Sequence, residues 1–78
     1  MAVQQQGDVY VAATKELGAI ERRLTKLASQ IGQVHAKLAA HDQGDYDGLA
    51  RLTTTLTGLE GEVEANEARW LELSELVE

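Results

Sequence analysis

A chain of 78 residues with no cysteine and no proline makes one small domain at most, stabilised by packing without disulfides or thiolate-bound metal. Its hydrophobic share of 44% comes mainly from Leu, Ala, Val and Ile, with no Phe and only 4% aromatics, a composition that suits long helices and suits strands poorly. A net charge of -6 argues against a general affinity for polyanions, and no apolar run approaches the roughly 18 residues of a membrane span. The chain is read as soluble and cytoplasmic, without membrane contact.

The first residues carry three consecutive glutamines and a glycine but no apolar period, so residues 1–9 are expected to form a flexible lead-in or linker. From Tyr10 the apolar pattern runs through Ala13, Leu17, Ile20, Leu24, Leu27, Ile31, Val34 and Leu38 in alternating steps of three and four. Those are the seam positions of a coiled coil, which predicts a first helix over about residues 10–41. Gly and Asp then concentrate in His41-Asp42-Gln43-Gly44-Asp45, predicting a turn near 42–45 with Asp45 as the cap of the next helix. The period resumes at Leu49, Leu52, Leu56, Leu59, Val63, Asn66, Trp70, Leu73 and Val77, giving a second helix over about 46–77. Asn66 alone interrupts the apolar seam, as either a docking group or a buried polar residue that fixes register.

Two long helices joined by a short turn lie antiparallel. The fold class is therefore all-α, an antiparallel two-helix coiled-coil hairpin over residues 10–78, and its register can be tested by arithmetic. Pairing Leu38 with Leu52, Val34 with Leu56, Ile31 with Leu59, Leu27 with Val63, Leu24 with Asn66, Ile20 with Trp70 and Leu17 with Leu73 makes the residue numbers sum to 90 in every layer. That sum centres the turn on residue 45, beside Gly44. Trp70 opposite Ile20 is the bulkiest layer and Ala13 opposite Val77 the thinnest, so the open end is expected to fray before the middle. Each helix should measure about 45 Å, making a thin rod expected to be monomeric.

Charge is divided between the two halves. Tyr10 to His41 holds five bases against two acids, and Asp45 to Glu78 holds two bases against nine acids. Lys15, Arg22 and Lys26 lie on the outer face of the first helix with Arg23 beside them, a stripe suited to phosphate contact. The glutamates of the second helix read as a solvated face. Leu71 and Leu76 fall off the seam near the open end and form a possible docking patch. His35 and His41 are six residues apart, which places them on different helix faces and argues against shared metal ligation. Asp45, Asp47 and Gly48 fail the calcium-loop pattern because its first position holds Gln43 and its last holds Thr54. With no phosphate loop and no nucleophile-and-base pair, the chain is expected to be non-catalytic, with no cofactor or metal of its own.

Lys15-Glu16-Leu17, Ile20-Glu21-Arg22, Val34-His35-Ala36-Lys37-Leu38, the Asp45-Tyr46 turn with Leu49-Ala50, and the closing Arg69-Trp70-Leu71-Glu72 with Glu75-Leu76 resemble the C-terminal domain of ABC-F ATPases of the Uup type. The resemblance covers about residues 14–78. It implies an appendage to two tandem ATP-binding cassettes, in a cytoplasmic protein that acts on the ribosome in translation and whose coiled coil contacts DNA. Any ATPase activity belongs to those cassettes, since this chain carries no Walker or signature motif. The resulting expectation is a non-catalytic module that positions its ATPase on nucleic acid or ribosome, with Lys15, Arg22, Arg23 and Lys26 as phosphate contacts. The alternatives are a structural or protein-adaptor hairpin docking through Leu71 and Leu76, and the coiled-coil arm of an aminoacyl-tRNA synthetase, against which the acidic second helix counts.

Overall fold

The computed structural model describes the backbone of residues 2–77 and the side chains of residues 8–77. It consists of α1 (Ala2–Ala40) and α2 (Tyr46–Val77), packed along each other in a rod 65 × 14 × 14 Å. The fold is the expected all-α helical hairpin. The lead-in expected over residues 1–9 falls mostly on residues whose side chains lie outside the described set; the backbone belongs to α1 from Ala2.

Burial follows the heptads. Along α2, Leu49, Leu52, Leu56, Leu59, Val63, Asn66, Trp70, Leu73 and Val77 are all shielded to some degree, while most residues between them are exposed. Along α1 the deepest positions are Ala13, Ile20, Leu27 and Val34, spaced by seven, and Leu17, Leu24, Ile31 and Leu38 are half-buried between them. With only two helices, each seam side chain has one facing neighbour and two open flanks. Few positions are therefore sealed from water.

Burial at the open end is uneven. Tyr10 is 54% exposed, and the layer rule gives it no partner among the described residues. The thin Ala13 and Val77 layer is no weak point in the packing. The best-buried cluster of the molecule lies there, with Ala13, Ile20 and Leu73 packed by Leu17, Leu24, Trp70 and Val77.

The connection between the helices is held by its own polar side chains. Gln43 Nε2 donates to the carbonyls of Leu38 and His41, supplying the C-terminal carbonyls of α1 with a donor. Asp42 Oδ1 accepts from the Gly44 amide at 2.9 Å, a local turn of the kind that aspartate favours. Asp45 caps α2: its Oδ1 accepts from the Gly48 amide at 3.1 Å, and its Oδ2 lies 2.8 Å from His41 Nε2. Gly48 matters here, since a Cβ at this position would collide with the Asp45 carboxylate and the His41 ring. Further along α2, Thr53, Thr54 and Thr55 are poor helix formers in a row, and each turns its hydroxyl back to the carbonyl four residues earlier.

Candidate nucleic-acid interface

An α-helix advances about 100° per residue, which fixes where the candidate side chains point. Taking Lys15 as zero, Arg22 and Lys26 stand within about 20° of it, opposite the seam, and Arg23 stands about 80° away on one flank. All four are exposed. Arg23 and Lys26 rim a shallow interhelical hollow of about 310 Å³ that also involves Gln30, Glu62 and Asn66. Among the described residues, none of Lys15, Arg22, Arg23 and Lys26 has a carboxylate within 4.0 Å. Their charge is therefore not neutralised by a described ion pair.

One further base of α1 lies off that line. Lys37 is exposed; it precedes Leu38 of the seam as Arg23 precedes Leu24, and it lines a hollow beside the turn with His41, Asp45, Gly48 and Arg51. Ser29 and Gln33, also exposed, occupy the intervening turns.

The acids of this stretch are engaged elsewhere. Glu16 and Glu21 point to opposite flanks, about 100° and 120° from the Lys15 line, and both meet α2. Arg69 donates from Nε to Glu16 Oε2 at 2.7 Å and from Nη2 to Glu16 Oε1 at 3.2 Å, a two-point contact across the hairpin. Its Nη1 donates to Glu72 Oε2 at 3.0 Å on its own helix. These bonds hold the Glu16 carboxyl below its ordinary range, with the Arg69 hydrogen bond as the main cause, and they raise Arg69, chiefly through Glu16. Trp70 Nε1 donates to Glu21 Oε1 at 3.3 Å. Arg69 thus pairs with Glu16 across the hairpin and with Glu72 on its own helix. The Trp70 and Glu21 bond had no counterpart in the sequence reading, because an indole in the seam reads first as bulk.

The remaining candidates separate. Leu71 and Leu76 are 60% and 56% exposed, and a five-residue offset sets them about 140° apart around α2. They do not share one face. Leu71 instead borders an open hollow of about 320 Å³ with Leu24, Glu67 and Trp70. Asn66 is half-buried in the seam, and its Nδ2 donates to the Glu62 carbonyl at 2.7 Å. Its amide is thus satisfied within α2 and does not bridge to α1. His35 is exposed, and no group of three or more His, Cys, Asp or Glu converges as a metal cage among the described residues. No helix of the described residues is long and apolar enough to cross a membrane.

Residues 11–75 match the family described as ABC transporter C-terminal domain. The chain belongs to that family. The match spans both helices and the turn between them, so the hairpin is the family's domain and a C-terminal module of an ABC-type protein. Neither the curated proteins nor the solved structures contain a match to it.

Proposed function

We propose that this module is a non-catalytic, cofactor-free appendage of a cytoplasmic ABC-F ATPase, and that it contacts nucleic acid, DNA or ribosomal RNA, to position the ATP-binding cassettes. The observation that carries the reading is the outer face of α1, where Lys15, Arg22 and Lys26 stand in line with Arg23 at their side and no described carboxylate neutralises them. Such a face attracts phosphates by charge and releases counterions on binding. The Uup-type resemblance of Arg69-Trp70-Leu71-Glu72 and the Asp45-Tyr46 turn supports the ABC-F assignment. A chemical-shift titration of the labelled chain with a short DNA duplex and with an RNA stem tests it. Shifts on the Lys15, Arg22, Arg23 and Lys26 face that fade as salt rises are the expected result; no shift with either ligand overturns it.

The exposure of Leu71 and Leu76 favours a second reading, a protein-adaptor hairpin. Apolar docking is nearly indifferent to salt, whereas phosphate contact weakens steeply with it. A salt-insensitive complex with the cassettes that Leu71→Ala and Leu76→Ala abolish would select the adaptor.

A further inference from the structure

The hollow beside the turn brings together two bases from different helices. It measures about 520 Å³ and is lined by Lys37 and His41 of α1 and by Asp45, Gly48, Arg51 and Leu52 on the other side. Lys37 precedes Leu38 and Arg51 precedes Leu52, the two leucines that share the seam layer nearest the turn, so the bases flank one layer from opposite helices. Both are exposed, and among the described residues neither has a carboxylate within 4.0 Å. The carboxylate that does line the hollow is engaged already: Asp45 Oδ1 accepts from the Gly48 amide, and its Oδ2 lies 2.8 Å from His41 Nε2. An ammonium and a guanidinium that flank one open hollow repel each other, and an anion between them reverses the sign of that interaction.

We infer that Lys37 and Arg51 form a two-point site for a phosphate group, bridging α1 and α2 beside the turn. The chemistry of the pair selects this class of ligand: the guanidinium donates through a planar fork to two oxygens, and the ammonium adds a mobile point charge. The hollow has room for such a group, being many times the roughly 30 Å³ share of one water, and Gly48 adds no side chain to fill it. Two sources offer the same chemistry, a phosphodiester of a nucleic-acid backbone and a free polyphosphate anion. The site is separate from the outer line of Lys15, Arg22 and Lys26, and it stands whether or not that face contacts nucleic acid. A chain of net charge -6 repels small anions over most of its surface, so a response confined to this hollow is diagnostic.

The test is a titration of the full, isotope-labelled chain with sodium pyrophosphate, matched in ionic strength by sodium chloride in a control arm and read at the Gly48 amide and the Arg51 side-chain Nε–H. Saturable shifts there, absent with chloride, are the expected result. Lys37→Gln and Arg51→Gln should each weaken the affinity by about tenfold, the worth of one charge-assisted hydrogen bond. Both side chains are exposed, so the variants keep the fold, which far-ultraviolet circular dichroism checks. Shifts of equal size at Lys15, Arg22, Arg23 and Lys26 overturn the inference, as do a response that both variants leave intact and the lack of any saturable shift. Repeating the titration with a DNA duplex and an RNA stem that lack terminal phosphates separates the sources. A response at Gly48 and Arg51 that Arg51→Gln removes supports the site with a backbone phosphate as its ligand; a response to pyrophosphate alone supports it with a free anion. The pyrophosphate arm involves no nucleic acid, so its failure leaves the outer-face contact untouched, and failure of that contact leaves this site standing.

Discussion

Ile20→Ala tests the packing most directly, because Ile20 is 1% exposed and sits in the cluster with Ala13, Leu73 and Trp70. Truncating a buried Ile to Ala costs about 2–5 kcal/mol, the spread reflecting how far the site collapses around the cavity. In a two-helix rod the vacated space opens towards solvent on its flanks, so the lower part of that range, about 2–3 kcal/mol, applies. Against a total of roughly 4–12 kcal/mol for a chain of this length, that is a large fraction. Urea unfolding reads it through Trp70, the only tryptophan and a member of the same cluster. With a denaturant slope near 1 kcal/mol/M, as befits a small protein, the midpoint should fall by about 2–3 M. Leu71→Ala, one position from that indole but 60% exposed, should change stability by less than about 0.5 kcal/mol. Equal midpoint shifts for the two variants would refute the seam assignment.

Gly58→Ala and Gly61→Ala place a methyl group in open space and should each raise stability by about 0.5–1 kcal/mol in thermal melts, as helix interiors favour Ala. Gly48→Ala should lower the melting temperature despite the same gain in propensity, because its Cβ meets the Asp45 carboxylate and His41; a rise at that position would show that the cap is dispensable. Glu16 and Asp45 are both held below their ordinary values of 4.5 and 3.8, Glu16 mainly by Arg69 and Asp45 mainly by the Gly48 amide. Their contribution is complete above those values and is lost as pH falls through them to the lower folded values, so melting temperature should drop below about pH 4.5. Glu16→Gln and Asp45→Asn should flatten that part of the profile, and unchanged slopes would contradict the bonding. Asn66→Leu should raise the urea midpoint while light scattering still reports one chain, since the Asn66 amide bonds within α2 and does not tie the helices together. A shift to dimers would show that Asn66 specifies the hairpin after all.

What the sequence makes legible is whatever depends on period alone. Steps of three and four from Ala13 to Leu38 and from Leu49 to Val77 place a continuous stripe on each helix, and two stripes joined at Gly44 and Asp45 have one antiparallel register. Tyr10 fails because a stripe records which face is apolar and not how far the partner helix reaches. The polar contacts are less legible for a related reason. Arg69, Glu16 and Glu21 are long side chains, and which carboxylate the guanidinium or indole reaches depends on rotamers and on crossing geometry, neither of which the period encodes. Asn66 is an intermediate case: its place in the seam is readable, but its donation to the Glu62 carbonyl is a local choice between neighbours of its own helix. For the candidate interface, Lys15, Arg22, Arg23 and Lys26 stand out as a cluster, and the helical angle sets Arg23 on one flank.

The opposed signs of the two helices set a limit on how the basic ridge of Lys15, Arg22 and Lys26 behaves. Outward glutamates of α2 such as Glu64 and Glu75 stand across a rod only 14 Å wide, a distance between one and two Debye lengths at about 0.15 M salt, where the Debye length is about 8 Å, whereas Glu62 rims the hollow beside Arg23 and Lys26. Under those conditions a polyanion lying on Lys15, Arg22 and Lys26 is attracted by the bases it touches and is largely screened from the acids behind them. At about 0.01 M the Debye length reaches about 30 Å, more than twice the thickness of the rod, and the polyanion then senses the total charge of -6. Counterion release favours binding ever more strongly as salt falls, while the long-range field of α2 opposes it ever more strongly. The plot of log K against log salt should therefore be steep between about 50 and 200 mM and flatten as it approaches about 10 mM. A line that stays straight to the lowest salt would mean that the acids of α2 do not reach the bound phosphates, and that binding is governed by the ridge alone.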